Sequence, residues 1–240
     1  MRVEIDEGIA RRVLEVVDAG LVDRIGEPIP GEMCVVAAVC YALGLPHGDK
    51  PPCVAPAVRW LATRLNDARW SSPQARARGL RRLAIAALGS AGALDEGEFS
   101  RRVARLAIQT CVPTALRAVA QRCSGAHRKR LLHAADLCEQ APTREHALKA
   151  RAAARAAAYY VADADAAVAA ACAAEADAAA AACAADAAVV VHAAYAAAAA
   201  AYAAVGDADA HLSDFAERVV QVLIDMGAPG CAFLHLAEVA

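Results

Sequence analysis

The sequence predicts an all-α protein, a helical bundle or array with closely packed Ala-rich helices in its C-terminal half. Three observations carry this. Residues 150–205 are mostly alanine, the strongest helix former, with no glycine, proline, serine or threonine to interrupt them. Upstream of that tract, apolar residues recur at spacings of three and four, the signature of one helical face. Nowhere is there a sustained period-two run of β-branched residues, so essentially no sheet is expected. The nearest approach to a strand is the tail Cys231–Leu236.

The elements follow in order. Asp6 caps a first helix to Ala19, with Ile9, Val13, Val16 and Val17 on its inner face. Gly26 to Gly31, with Pro28 and Pro30, is a turn. Glu32 to Leu43 is a short helix that is apolar nearly all round and therefore central, closed by Gly44. Leu45 to Pro52 is a Pro-rich loop. Val54 to Ala68 is helical, with Val58, Leu61 and Leu65 on one face. Ser72 and Pro73 are a cap and first-turn pair for a helix to Leu88. Gly89 to Ala93 breaks the chain, and Asp95 with Glu98 makes an approximate capping box for the next helix. Pro113 is expected to restart or kink that helix, which ends near Ser124-Gly125. Ala126 to Gln140 is helical, and Pro142-Thr143 opens the alanine tract.

The tract has internal order. Val161, Asp165, Val168, Cys172, Glu175, Cys183, Asp186 and Val190 fall on one stripe, and Tyr159, Asp163, Asp177, His192, Tyr195 and Tyr202 on another. Cys172-Ala-Ala-Glu175 returns eleven residues later as Cys183-Ala-Ala-Asp186, a three-turn repeat. A single helix from Pro142 to Val205 would run about 95 Å at about 1.5 Å per residue, so a break is expected within Ala162–Ala166. Gly206-Asp207 ends the tract, and Asp209 to Met226 is the last amphipathic helix. The shift in composition divides the chain into an N-terminal helical domain, 1–141, and an Ala-rich region, 142–240, packed on it or continuous with it.

Charge is unevenly distributed. Residues 1–58 carry 5 basic and 9 acidic groups, a net −4; residues 59–155 carry 19 and 7, a net +12; residues 156–240 carry 1 and 11, a net −10. Zones of opposite sign predict mutual facing, within the chain or across a homo-oligomer or partner interface. The basic zone 59–155 also admits nucleic-acid binding, but it lacks interleaved aromatics and its arginines spread around several helices. The nine cysteines are odd in number and contain no CxxC, which fits free thiols in a reducing cytoplasm. Ala187 to Val205 is uncharged over nineteen residues but lacks Leu, Ile and Phe and has acidic flanks, so no membrane span is expected.

Few groups suggest chemistry. Cys34, Cys40, His47 and Cys53 are the metal candidates, because three thiols and an imidazole suit zinc. Cys34 and Cys40 lie six apart on a helix, off a common face, which favours two buried structural thiols. His47 and Asp49 could serve as base and orienter with Cys53 as nucleophile, the basis of a hydrolytic alternative; a local turn held by Asp49 is the simpler reading. His133, Asp136 and Glu139, and likewise Asp207, His211 and Asp214, repeat at helical spacing without the Glu-x-x-His pairs of bundle metal sites. No phosphate loop, nucleophile elbow or His-Glu-x-x-His is present, and no cofactor is expected.

Pro30-Gly31-Glu32-Met33-Cys34 through Leu45-Pro46-His47-Gly48-Asp49, then Arg64-Leu65-Asn66-Asp67-Ala68-Arg69-Trp70-Ser71-Ser72, resembles uncharacterised bacterial and phage-associated proteins with Ala-, Tyr-, Asp- and Cys-rich tails. The tract alone resembles the alanine-rich helical arrays of immunity proteins of toxin systems. Neither resemblance supplies a catalytic residue. The absence of any strong chemical constellation and the split charge predict a non-enzymatic protein-binding protein, immunity- or antitoxin-like.

Overall fold

A computed structural model describes residues 4–158 and 208–238, together with Ala193, Ala197 and Ala198. The two stripes, the eleven-residue repeat, the break at 162–166, the uncharged segment 187–205 and the Asp207 cap lie outside the described residues. The helices are α1 (Glu7–Asp18), α2 (Val35–Ala42), α3 (Pro56–Asn66), α4 (Pro73–Ala86), α5 (Glu96–Gln121), α6 (Gly125–Gln140), α7 (Arg144–Ala158) and α8 (Ala208–Asp225), followed by a 3₁₀ helix, Pro229–Ala237. Among the described residues there is no strand; Gly26 and Met33 form an isolated antiparallel bridge. The fold class is all-α. Among the described residues no helix is long and apolar enough to cross a membrane.

Helix starts follow local chemistry. The Asp6 carboxylate accepts from Ile9 N–H at 2.7 Å, Ser72 Oγ from Ala75 N–H at 3.1 Å, Asp95 from Glu98 N–H at 2.9 Å and Thr143 from His146 N–H at 3.2 Å. Each satisfies an N–H that the helix itself leaves open. One helix start differs from expectation. α2 starts at Val35 rather than Glu32, because the preceding turn engages both backbone groups of Glu32: its N–H donates to Ile29 and its carbonyl accepts from Glu27. Cys34 Sγ then caps the helix by accepting from Ala37 N–H at 3.3 Å. Pro113 lies inside α5, which continues to Gln121. Beside it the Thr110 and Thr114 hydroxyls bond the carbonyls of Leu106 and Thr110, each at 2.8 Å.

The chain forms two compact units, Met1–Phe99 with Ala216–Ala240, and Ser100–Phe215. This division differs from a boundary at 141, because the C-terminal segment belongs with the N-terminal helices. In the first unit α4 touches α1, α2, α3 and the 3₁₀ helix. Arg81 pairs with Asp18 at 2.7 Å and donates to the Ala237 carbonyl. Arg82 pairs with Glu217 at 2.9 Å and Glu238 at 3.1 Å. The segment read as closest to a strand is helical instead. Its Gly230 N–H donates to the Leu88 carbonyl at 2.8 Å, and a Cβ there would stand 2.1 Å from the Ile85 carbonyl oxygen. Contact that close with the end of α4 admits only glycine.

The core of this unit combines large apolar side chains, among them Leu61, Leu65, Leu80, Leu83 and Leu88, with a few buried polar groups. Asn66 is fully buried: its Oδ1 accepts from Val35 N–H at 3.0 Å and its Nδ2 donates to the Val22 carbonyl at 2.8 Å. Arg76 donates to the Asn66 and Leu21 carbonyls, both at 2.8 Å. α3 begins at Ala55-Pro56 with no capping side chain of its own. Ser90 Oγ and the Glu96 carboxylate supply one from a distance, accepting from Ala55 and Ala57 N–H at 2.8 Å each.

In the second unit α6 packs on α7. The buried face of α7 is Ala147, Ala150, Ala154 and Ala157, all at 0% exposure. Opposite lie Leu131, Ala134, Ala135 and Cys138 of α6, also buried.

Candidate functional site

The described surface of the first unit carries a cleft of about 280 Å³ along α3. Its cause is the phase of that helix. Val58, Leu61, Ala62 and Leu65 turn inward and are buried. At about 100° per residue, Trp60 stands roughly 200° from Val58, on the side that faces water. Arg59, Trp60, Thr63 and Arg64 line the cleft from α3, with Asp67 just past its end. Asp49 and Lys50 line it from the preceding loop. Trp60 is 44% exposed, the largest apolar side chain left open among the described residues. The other tryptophan, Trp70, is buried and donates its indole N–H to the Leu65 carbonyl at 2.9 Å.

The loop residues are held in place. Lys50 N–H bonds Cys40 Sγ. His47 Nε2 donates to the Gly26 carbonyl at 2.9 Å, which puts the imidazole proton on Nε2. On the far side Asp67 Oδ1 accepts from Arg24 N–H at 2.9 Å and from Asn66 Nδ2 at 3.3 Å. Arg24 has φ +58, a left-handed conformation uncommon outside glycine, and this hydrogen bond holds it there. Ile25, 41% exposed, falls between the two anchored residues Arg24 and Gly26.

Electrostatically the cleft is a cationic site with two carboxylates. Neither Lys50 nor Arg59 has an ion-pair partner among the described residues, while the Asp67 carboxylate already accepts two N–H groups. Three cationic side chains, Lys50, Arg59 and Arg64, face two carboxylates, so the formal balance of the lining is positive.

The residues read from sequence as chemical candidates meet here only in part. Asp49 lines the cleft. No hydrogen bond joins His47 to Asp49 or Cys53; His47 instead ties its loop to the 22–34 segment. Cys34, Cys40 and Cys53 are buried, and burial pushes each thiol up, Cys40 to about 11. Cys53 accepts a hydrogen bond from Gly89 N–H. Thiols held in that state are not the thiolates that attack or ligate. Among the described residues no group of three or more His, Cys, Asp or Glu side chains is placed to hold a metal, so Cys34, Cys40, His47 and Cys53 are not gathered into one. Asp136 and Glu139 grip Arg117, at 3.0 and 2.5 Å, and leave His133 exposed beside them. Much of the basic zone is likewise engaged inside its own unit, through Arg76, Arg81, Arg82 and Arg117.

Reading by motif missed Trp60, Arg59 and Lys50. The available signal was an indole on the polar side of an amphipathic helix, out of phase with Val58, Leu61 and Leu65. No family model, no curated protein and no solved structure matches the chain.

Proposed function

We propose that this protein is a non-enzymatic interaction protein, immunity- or antitoxin-like, that grips a protein partner through the cleft on α3. The observation that carries this is Trp60, presented to solvent between Arg59 and Arg64 above a formed cleft. Tryptophan and arginine are the residue types that dominate binding energy at protein interfaces, and they do so from centres rimmed by polar groups. The raised thiol of Cys53 adds support, since the sulfur read as a nucleophile beside that loop is buried. A cytoplasmic setting fits described cysteines held as thiols rather than as disulfides.

The test is affinity capture from cells that produce the protein, with wild type and Trp60→Ala run side by side at physiological salt. The reading expects one partner in near-stoichiometric yield with wild type and a sharp loss with the variant. An antitoxin role further expects that partner to arrest growth when expressed alone. A partner held equally by both proteins, or none held by either, overturns the reading.

A further inference from the structure

We infer that the cleft on α3 recognises an acidic segment of another protein, in which an aspartate or glutamate sits beside an aliphatic or aromatic side chain. This rests on the interaction reading above and names the chemistry of what is bound. Charge complementarity selects the carboxylate. Lys50 and Arg59 lack ion-pair partners among the described residues and face the cleft with Arg64, whereas Asp67 is occupied by Arg24 and Asn66. Arginine meets a carboxylate through two parallel N–H donors, a geometry that rewards one placed acid rather than diffuse negative charge.

Trp60 selects the apolar neighbour. Its exposed face gains by being covered. A cleft of about 280 Å³ is at the low end for a whole ligand but suits two or three side chains of an extended or helical segment. Asp49, whose carboxylate has no hydrogen-bond partner among the described residues, is left to accept a backbone N–H of that segment. Asp49 argues against a nucleic-acid strand, because its carboxylate would meet evenly spaced phosphates, whereas a polypeptide offers it a backbone N–H.

The experiment is selection from a displayed random dodecapeptide library on the intact protein, with Trp60→Ala as the counter-selection surface. Binding of the selected peptides that lack tryptophan is then followed through tryptophan emission. Only Trp60 and Trp70 report, and Trp70 is shielded. The inference expects peptides enriched in Asp or Glu next to Leu, Phe, Tyr or Trp. It expects affinity to fall at least tenfold in Arg59→Glu and about threefold as salt rises from 50 to 300 mM. Matching far-UV circular dichroism and thermal midpoints confirm that each variant is folded. Selected peptides that are neutral or basic overturn the acidic assignment and leave the interaction reading standing. No Trp60-dependent peptide at all overturns both. Trp60-dependent self-association in sedimentation, or Arg59-dependent retention on a single-stranded oligonucleotide, overturns the assignment in favour of a second copy or a nucleic acid.

Discussion

In residues 1–99 and 216–240, large side chains fill the core and buried polar groups bracket it; in α7, the buried face is alanine and nothing else. Asn66 bonds the first N–H of α2 and the Val22 carbonyl, Arg76 bonds two carbonyls, and Ser90 and Glu96 serve the open end of α3. Each bracket fits one arrangement of neighbours, so it fixes which helix lies where. The face Ala147, Ala150, Ala154, Ala157 has no such device. Each methyl contributes little, about 0.8 kcal/mol or less, and selects a partner mainly by excluding anything larger. The first unit is specified by what its groups must bond, and α7 by what it has no room for.

Three changes break or sharpen that contrast. Asn66→Ala leaves Val35 N–H buried and unpaired and takes the donor from the half-buried Val22 carbonyl, at roughly 1–3 kcal/mol for each group. A loss of about 3 kcal/mol or more is expected in urea unfolding followed by tryptophan fluorescence, which reads the first unit because Trp60 and Trp70 both lie in it. A loss under 1 kcal/mol would dissolve the distinction. Ala150→Leu tests the other region. Extra methylenes on a fully buried alanine face cost about 1–3 kcal/mol, read as a shift of the far-UV circular dichroism transition, whereas leucine at exposed Ala152 costs almost nothing. The third change is the smallest and turns on pH. Cys40 and Cys231 are raised by burial from 9.0 to about 11. The unfolded chain therefore releases these protons first, and stability present below pH 9 is lost as pH climbs toward 11. Melting temperature should drop across that window, and Cys40→Ala should flatten the drop while leaving the slope between pH 6 and 8 unchanged.

Legibility in the sequence follows the range of the cause. Asp6, Ser72-Pro73 and Asp95 act within three residues, and the helices they open begin where the sequence places them. The start of α2 was misplaced by three residues, because a turn closed by Glu27 and Ile29 holds Glu32 outside the helix. The tail was less legible still. Its 3₁₀ form is set by Gly230 lying against the Ile85 and Leu88 carbonyls, a contact that no window along the chain contains. The site divides the same way. Trp60 is visible on a helical wheel. The cleft is not, because its other wall is Asp49 and Lys50, on a loop positioned by His47 on Gly26 and by Cys40 on Lys50.

The bond from Gly230 to Leu88 also sets an order of events during synthesis. Helices α1 to α4 leave the ribosome well before the glycine that seals the end of α4 has been translated. At about 5–20 residues per second, the intervening stretch of some 140 residues takes on the order of ten seconds. Through that interval the nascent unit stands open at the seam its tail will later close. Residues 229–237 thus decide whether the helices made well before them become a finished fold, and a chain truncated before residue 229 should be handed to proteases with that seam exposed.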